Sequence, residues 1–135
     1  MQVKDIMSTG VEVVGRNDDL AKVYDLMVTK TLRHLPVLEN GVLVAIVSQR
    51  DLFHAMLSSA VGYEATIQRA YLQSVSVQEI MSAPVVTVAS DTAVREAAAL
   101  MEQKGVGCLP VVDGSTLVGI VTKIDLLRYL CSLSA

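Results

Sequence analysis

A chain of 135 residues can bury roughly two thirds of its extended surface, enough for a core without disulfide or metal staples. With 52% hydrophobic and 19% charged residues it lies well away from disorder, and with Phe53 as its single Phe and no Trp it offers no aromatic recognition surface. A net charge of −3 and 11 scattered Lys and Arg argue against a nucleic-acid partner, which needs a basic stripe, but leave open a small anionic ligand.

The opening MQVKDIMSTG lacks the apolar stretch and cleavage segment of an export signal, and Met1 reads as the natural front of the chain. A short extended segment, Val11 to Val14, follows. A helix is then expected from an N-cap near Asn17, with Asp18 and Asp19 in its first turn and an apolar stripe of Leu20, Val23, Met27 and Tyr24. Thr31 to Arg33 end it. LPVL, a strand carrying Pro36 near its start, leads through Glu39-Asn40-Gly41 into the strand VLVAIV, whose unbroken hydrophobicity predicts burial on both faces. A second helix starts after Ser48. Residues 61–76 read as a connector, and SSAVGYEATIQRAYLQS, residues 58–74, reads as a helix extension, a break and a further short helix.

The same order then recurs. Residues 79–128 lie over 5–54 without a gap, at an offset of 74, with 17 of the 50 positions identical. The second copy has its extended segment at Val85 to Val88, an N-cap near Asp91, a stripe of Val94, Ala97, Ala98 and Met101, a stop at Gly105 and Gly107, a turn at Asp113-Gly114-Ser115, the strand TLVGIV and a last helix after Thr122. Self-similarity at constant offset marks two copies of one supersecondary unit. The expected architecture is α/β (α+β), two β-α-β-β-α repeats at 1–60 and 77–135, closing on one another with pseudo-twofold symmetry. Met7 and Met81 are expected to fill gaps where the copies dock.

Each strand-to-helix junction pairs a hydroxyl with an aspartate, Ser48-x-x-Asp51 and Thr122-x-x-Asp125. The local reading is a capping box, in which the hydroxyl accepts from an amide three residues on and the carboxylate reaches back. The alternative is a ligand site, since a carboxylate also accepts from a vicinal diol and a helix start suits phosphate. Gly119 leaves room beside the second junction, where Ala45 adds a methyl to the first; Lys123 and Arg50 are the nearby cations. His34 reads as a polar loop histidine, Cys108 as a small buried thiol. Cys108 and Cys131 share no metal-ligand or disulfide spacing and read as reduced residues of a cytoplasmic protein. No nucleophile, base and orienting partner form a trio, and no glycine-rich phosphate loop occurs, so the chain reads as non-enzymatic and without metal.

DIMS near the start of each copy, hLPVh before each hairpin and GIVTKIDLL at the end resemble the cystathionine-beta-synthase (CBS) domain pair, or Bateman module, over essentially the whole chain. The resemblance implies a regulatory module that binds AMP, ADP, ATP or S-adenosylmethionine between the repeats, commonly as a homodimer, acting on self-association or on a separate partner protein. Carried over residue by residue, it places the ligand against Gly119, Thr122 and Asp125, and against Ser48 and Asp51, where Ala45 stands in place of the family glycine. It adds Arg33, His34, Leu35 and Pro36, and Gly107, Cys108, Leu109 and Pro110, around adenine. Val11 to Val13 and Val85 to Thr87 form the other wall. A purely structural interaction module, with no nucleotide, is the alternative.

Overall fold

The hairpins follow from their turn residues. Asn40 (φ 52°) and Gly41 (φ 79°) both take left-handed backbone, the geometry a two-residue turn needs to match strand twist, and they join β2 (His34–Glu39) to β3 (Val42–Ser48). Gly114 (φ 64°) begins the corresponding turn between β4 (Cys108–Asp113) and β5 (Thr116–Thr122). Both ladders slip register at the same place, after Val37↔Ala45 and after Val111↔Gly119, a bulge inherited by both copies. A two-residue strand, β1 (Val14–Gly15), pairs in parallel with Val37 and Leu38, making a three-stranded sheet in the order β1-β2-β3. Its counterpart in the second copy is a single bridge, Val88 to Val111. Each extended segment is thus shorter than the four residues expected. Pro36 and Pro110 are tolerated because the parallel pairing begins one residue later; Pro110 instead offers its carbonyl to the Val88 amide at 3.1 Å.

The computed structural model describes residues 1–58 and 64–134. The last two residues of the expected first repeat, the first three of the connector with its expected break, and Ala135 lie outside them. Besides short 3-10 turns at Val3–Asp5 and Val77–Glu79, five α-helices are described: α1 (Leu20–Thr29), α2 (Gln49–Ser58), α3 (Ala65–Ser74), α4 (Val94–Lys104) and α5 (Lys123–Ser132). Two begin later than expected. Asp19, not Asn17, caps α1 by accepting from the Lys22 amide, because Asp18 is held in the preceding turn by the Gly15 amide (2.7 Å) and by Lys22 Nζ (3.1 Å). Asp18 and Asp19 therefore precede the first turn instead of lying in it. Ala93 stands at the N-cap of α4, since Thr92 uses its hydroxyl on the Ala89 amide. The stripes hold in their main members: Leu20, Val23, Met27, Val94, Ala97 and Met101 are buried, while Tyr24 is exposed and Ala98 half-buried. In β3 only Ala45 and Val47 are fully buried, so that strand alternates where the expectation was two buried faces; β5 buries Gly119, Ile120 and Val121 in a row. No described helix is long and apolar enough to cross a membrane.

The chain divides into two compact units. Residues 12–85 form a continuous unit; residues 1–11 and 86–135 form a discontinuous one. The first has a core of Leu20, Val23, Leu35, Val37, Ala45, Val47, Leu52 and Val77, covered by α3 through Tyr71 and Leu72. The second is built on Val3, Ala97, Met101, Leu109, Val111 and Val121. These units and the sequence repeats divide the chain differently. The Val3 amide donates to Thr92 O and the Val77 amide to Asp18 O, both at 2.8 Å, and these are one bond seen twice at the offset of 74. Likewise Ser8 pairs with Ile120 and Ser82 with Ile46. Each repeat's leading segment completes the unit that holds the other repeat's strands. Met7 accordingly packs on the core of the discontinuous unit and Met81 on that of the continuous one.

Candidate functional site at the strand-to-helix junctions

In the continuous unit β3 ends at Ser48 and α2 begins at the next residue. The register pairs His34 with Ser48, and the Gln49 amide donates to Arg33 O at 2.8 Å, so the entry of β2 lies beside the first turn of α2. The discontinuous unit repeats this: Cys108 pairs with Thr122, and the Lys123 amide donates to Gly107 O at 3.1 Å. The residues singled out around Ser48 and Thr122 are thereby brought together within each unit, and Arg33–Pro36 and Gly107–Pro110 flank the two helix starts. Val13 and Val85 belong to the continuous unit, Val11 and Thr87 to the discontinuous one.

The local chemistry is capping in both. Asp51 Oδ2 accepts the Ser48 amide at 2.8 Å while Ser48 Oγ accepts the Asp51 amide at 3.0 Å. Asp125 Oδ2 also accepts the Thr122 amide at 2.8 Å, but Thr122 Oγ1 donates to that same oxygen at 3.2 Å. Each carboxylate is half-buried, and its second oxygen accepts nothing among the described residues. Such an oxygen retains its capacity for a hydroxyl donor.

Other members sit less openly. Leu35 and Leu109 are fully buried core side chains, with Pro36, Pro110 and Cys108 buried as well. Burial pushes the Cys108 thiol up to about 12, and Cys131 is an exposed free thiol. His34 opens strand β2, half-buried and engaged, and is not the loop residue expected; the strand starts early because Ser48 pairs with it. Arg33, Arg50 and Lys123 are exposed. Gly119 has a different reason from the one its sequence suggested. A Cβ there would lie 2.8 Å from Ser8 O and 2.6 Å from Met7 Sδ, so the space is filled by the chain's own leading segment. No described group of His, Cys, Asp and Glu has a metal-binding arrangement.

The sequence reading missed one polar pair that recurs in both units. Arg16 bonds Glu39 at 3.0 Å, and at the matching places Ser90 donates its amide (2.9 Å) and hydroxyl (2.6 Å) to Asp113. The Ser90 hydrogen bonds hold the Asp113 carboxyl below its ordinary range. Its signal was two positions polar in both copies.

The CBS domain family model matches residues 3–58 and 77–132. The chain belongs to the CBS-domain family. CBS domains are regulatory, non-catalytic modules. The chain is 33% identical over 124 residues to the CBS domain-containing protein YhcV of Bacillus subtilis, covering 92% of this chain and 81% of that one. It is 32% identical over 123 residues to a homoserine O-acetyltransferase of Methanosphaerula palustris, covering 90% of this chain and 22% of the enzyme's length. Among solved structures, the CBS domain pair of protein MJ0100, in complex with 5′-methylthioadenosine and S-adenosyl-L-methionine, superposes with a TM-score of 0.82 at 26% identity, covering 97% of this chain and 96% of that one. CBSX2 in complex with AMP gives a TM-score of 0.83 at 25% identity, covering 99% of each chain.

Proposed function

We propose that this CBS pair is a cytoplasmic regulatory module that binds an adenosyl ligand (AMP, ADP, ATP or S-adenosylmethionine) at its strand-to-helix junctions. The observation that carries the reading is the half-open carboxylate: Asp51 and Asp125 each use one oxygen on the helix cap and keep the other for a ribose hydroxyl. The adenosyl ligands of the MJ0100 pair and of CBSX2 support the same class here. In the continuous unit Val13 and Val85, with the backbone of Arg33–Pro36, and in the discontinuous unit Val11 and Thr87, with that of Gly107–Pro110, are the wall residues proposed for each junction. Occupancy modulates self-association or a separate partner by favouring one arrangement over another. Homodimer formation is supported by apolar side chains on α5 and α2: Ile124, Leu127 and Leu130 are 48%, 55% and 61% exposed, Phe53 and Leu57 48% and 80%.

Calorimetric titration with AMP, ATP and S-adenosylmethionine tests this. Asp125→Ala weakens the response by about 1.5–3 kcal/mol, roughly tenfold to over a hundredfold. Mass spectrometry of small molecules released on denaturation identifies the resident ligand. A second reading, an interaction module without nucleotide, is favoured for the continuous unit by the fully buried Ala45 and by the use of Ser48 Oγ in the cap. Flat titrations with all three ligands at about 0.1 mM protein, a concentration that detects even weak complexes, select that second reading.

A further inference from the structure

The two junctions share a backbone but not a charge. We propose that they select different ligands: the junction of the continuous unit takes the polyphosphate tail of a nucleotide, and that of the discontinuous unit takes an uncharged or singly charged adenosyl group. This rests on the adenosyl-binding reading and goes beyond it by assigning a ligand class to each site.

At the offset of 74, Arg33 corresponds to Gly107, Gln49 to Lys123 and Arg50 to Ile124. The positions are structurally matched as well. The same register and the same amide-to-carbonyl bond hold residue 33 against residue 49 and residue 107 against residue 123. The continuous unit therefore places two arginines at its junction, one at the entry of β2 and one in the first turn of α2. The discontinuous unit has glycine and isoleucine at those places and a single ammonium at Lys123.

The arginines are available. Arg16 and Arg69, elsewhere in the same unit, are bound to Glu39 and Asp25, whereas Arg33 and Arg50 are exposed and have no carboxylate partner among the described residues. The adjacent carboxylate, Asp51, is turned to the Ser48 amide. Two planar forks can each grip a phosphate through paired N–H donors, which a lone ammonium cannot do. Ile124, 48% exposed, puts apolar surface where Arg50 puts charge. A chain of phosphates gains at the first junction and loses at the second.

The test is calorimetry on the full chain with ATP, AMP and 5′-methylthioadenosine, using wild type, the Arg33→Ala/Arg50→Ala double variant and Lys123→Ala, each checked for an unchanged thermal melt. Wild type is expected to bind ATP at least about tenfold more tightly than AMP at one site. The double variant loses that advantage, by roughly ten- to a hundredfold, and keeps 5′-methylthioadenosine binding. Lys123→Ala leaves the ATP preference in place. Equal affinity for ATP and AMP in wild type, or an ATP preference that survives the double substitution, overturns the assignment while leaving adenosyl binding intact. Failure of all three ligands to bind overturns both.

Discussion

At position 45 the continuous unit buries an alanine completely; at the matching position 119 the discontinuous unit has a glycine, because Met7 and Ser8 come closer than a methyl group allows. The latch between the segment after the first strand and the end of the next one shows the same divergence. It is an ion pair in one unit, Arg16 with Glu39, and a neutral-to-charged hydrogen-bonded pair in the other, Ser90 with Asp113. The continuous unit also packs α3 against its core, and its α2 buries Leu52, whereas α5 buries none of its residues. Backbone features survived duplication together: the bulge, the exchanged leading segments and the capped junction. Side-chain chemistry at half-exposed positions drifted, as expected if ladders, caps and core specify the unit and surface pairs contribute little.

The hardest test of that division is in the cores. Leu35→Ala and Leu109→Ala, both at fully buried positions, should each cost about 2–5 kcal/mol in urea unfolding. A loss below about 1 kcal/mol at either site would mean that unit does not depend on its core as described. Next comes the glycine. Gly119→Ala should cost about 1–3 kcal/mol by pressing on a backbone carbonyl, which cannot swing aside as a methionine tip can. The mirror change, Ala45→Gly, is expected to cost about 0.5–1 kcal/mol through chain entropy. Equal effects would erase the asymmetry. Comparable in size is the cap: Ser48→Ala removes an acceptor from the Asp51 amide, and Thr122→Ala breaks the matching capping box, each at a cost of about 0.5–2 kcal/mol.

The last prediction separates the thiols. Alkylation near neutral pH should label exposed Cys131 quickly and buried Cys108 only on unfolding. Because the folded state raises the Cys108 pKa to about 12, it keeps a proton that the unfolded chain releases above roughly 8.5. The contribution is intact below that lower value and is lost as pH climbs towards 12. Cys108→Ala should therefore flatten the alkaline decline in stability measured by thermal melting.

Much of the fold was legible because repetition doubles every signal. The hairpins were readable from Asn40-Gly41 and Gly114, and the helix stripes from Leu20, Val23 and Met27. Helix starts were not, because Asn17, Asp18 and Asp19 are three competing caps. Only the structure shows that the Gly15 amide claims Asp18 and leaves Asp19 to cap. The exchange of leading segments was hidden for a deeper reason. In a gapless duplicate, DIMS fits either copy's strands equally well, so periodicity alone cannot assign its partner. At the junctions the residue types were visible, but the purpose of Gly119 was not, since a glycine making room for Ser8 looks in sequence like one making room for a ligand.

The interleaved order of the units bears on how the protein is made. Everything the continuous unit needs has left the ribosome once residue 85 is free, so it can close while the chain is still growing. The first eleven residues, by contrast, must wait unpartnered until Ser90 and Thr92, and then β5, have been synthesised. Translation thus imposes a sequence of assembly on two units that their shared ancestry would otherwise leave interchangeable, since strands made later recruit a segment made well before them.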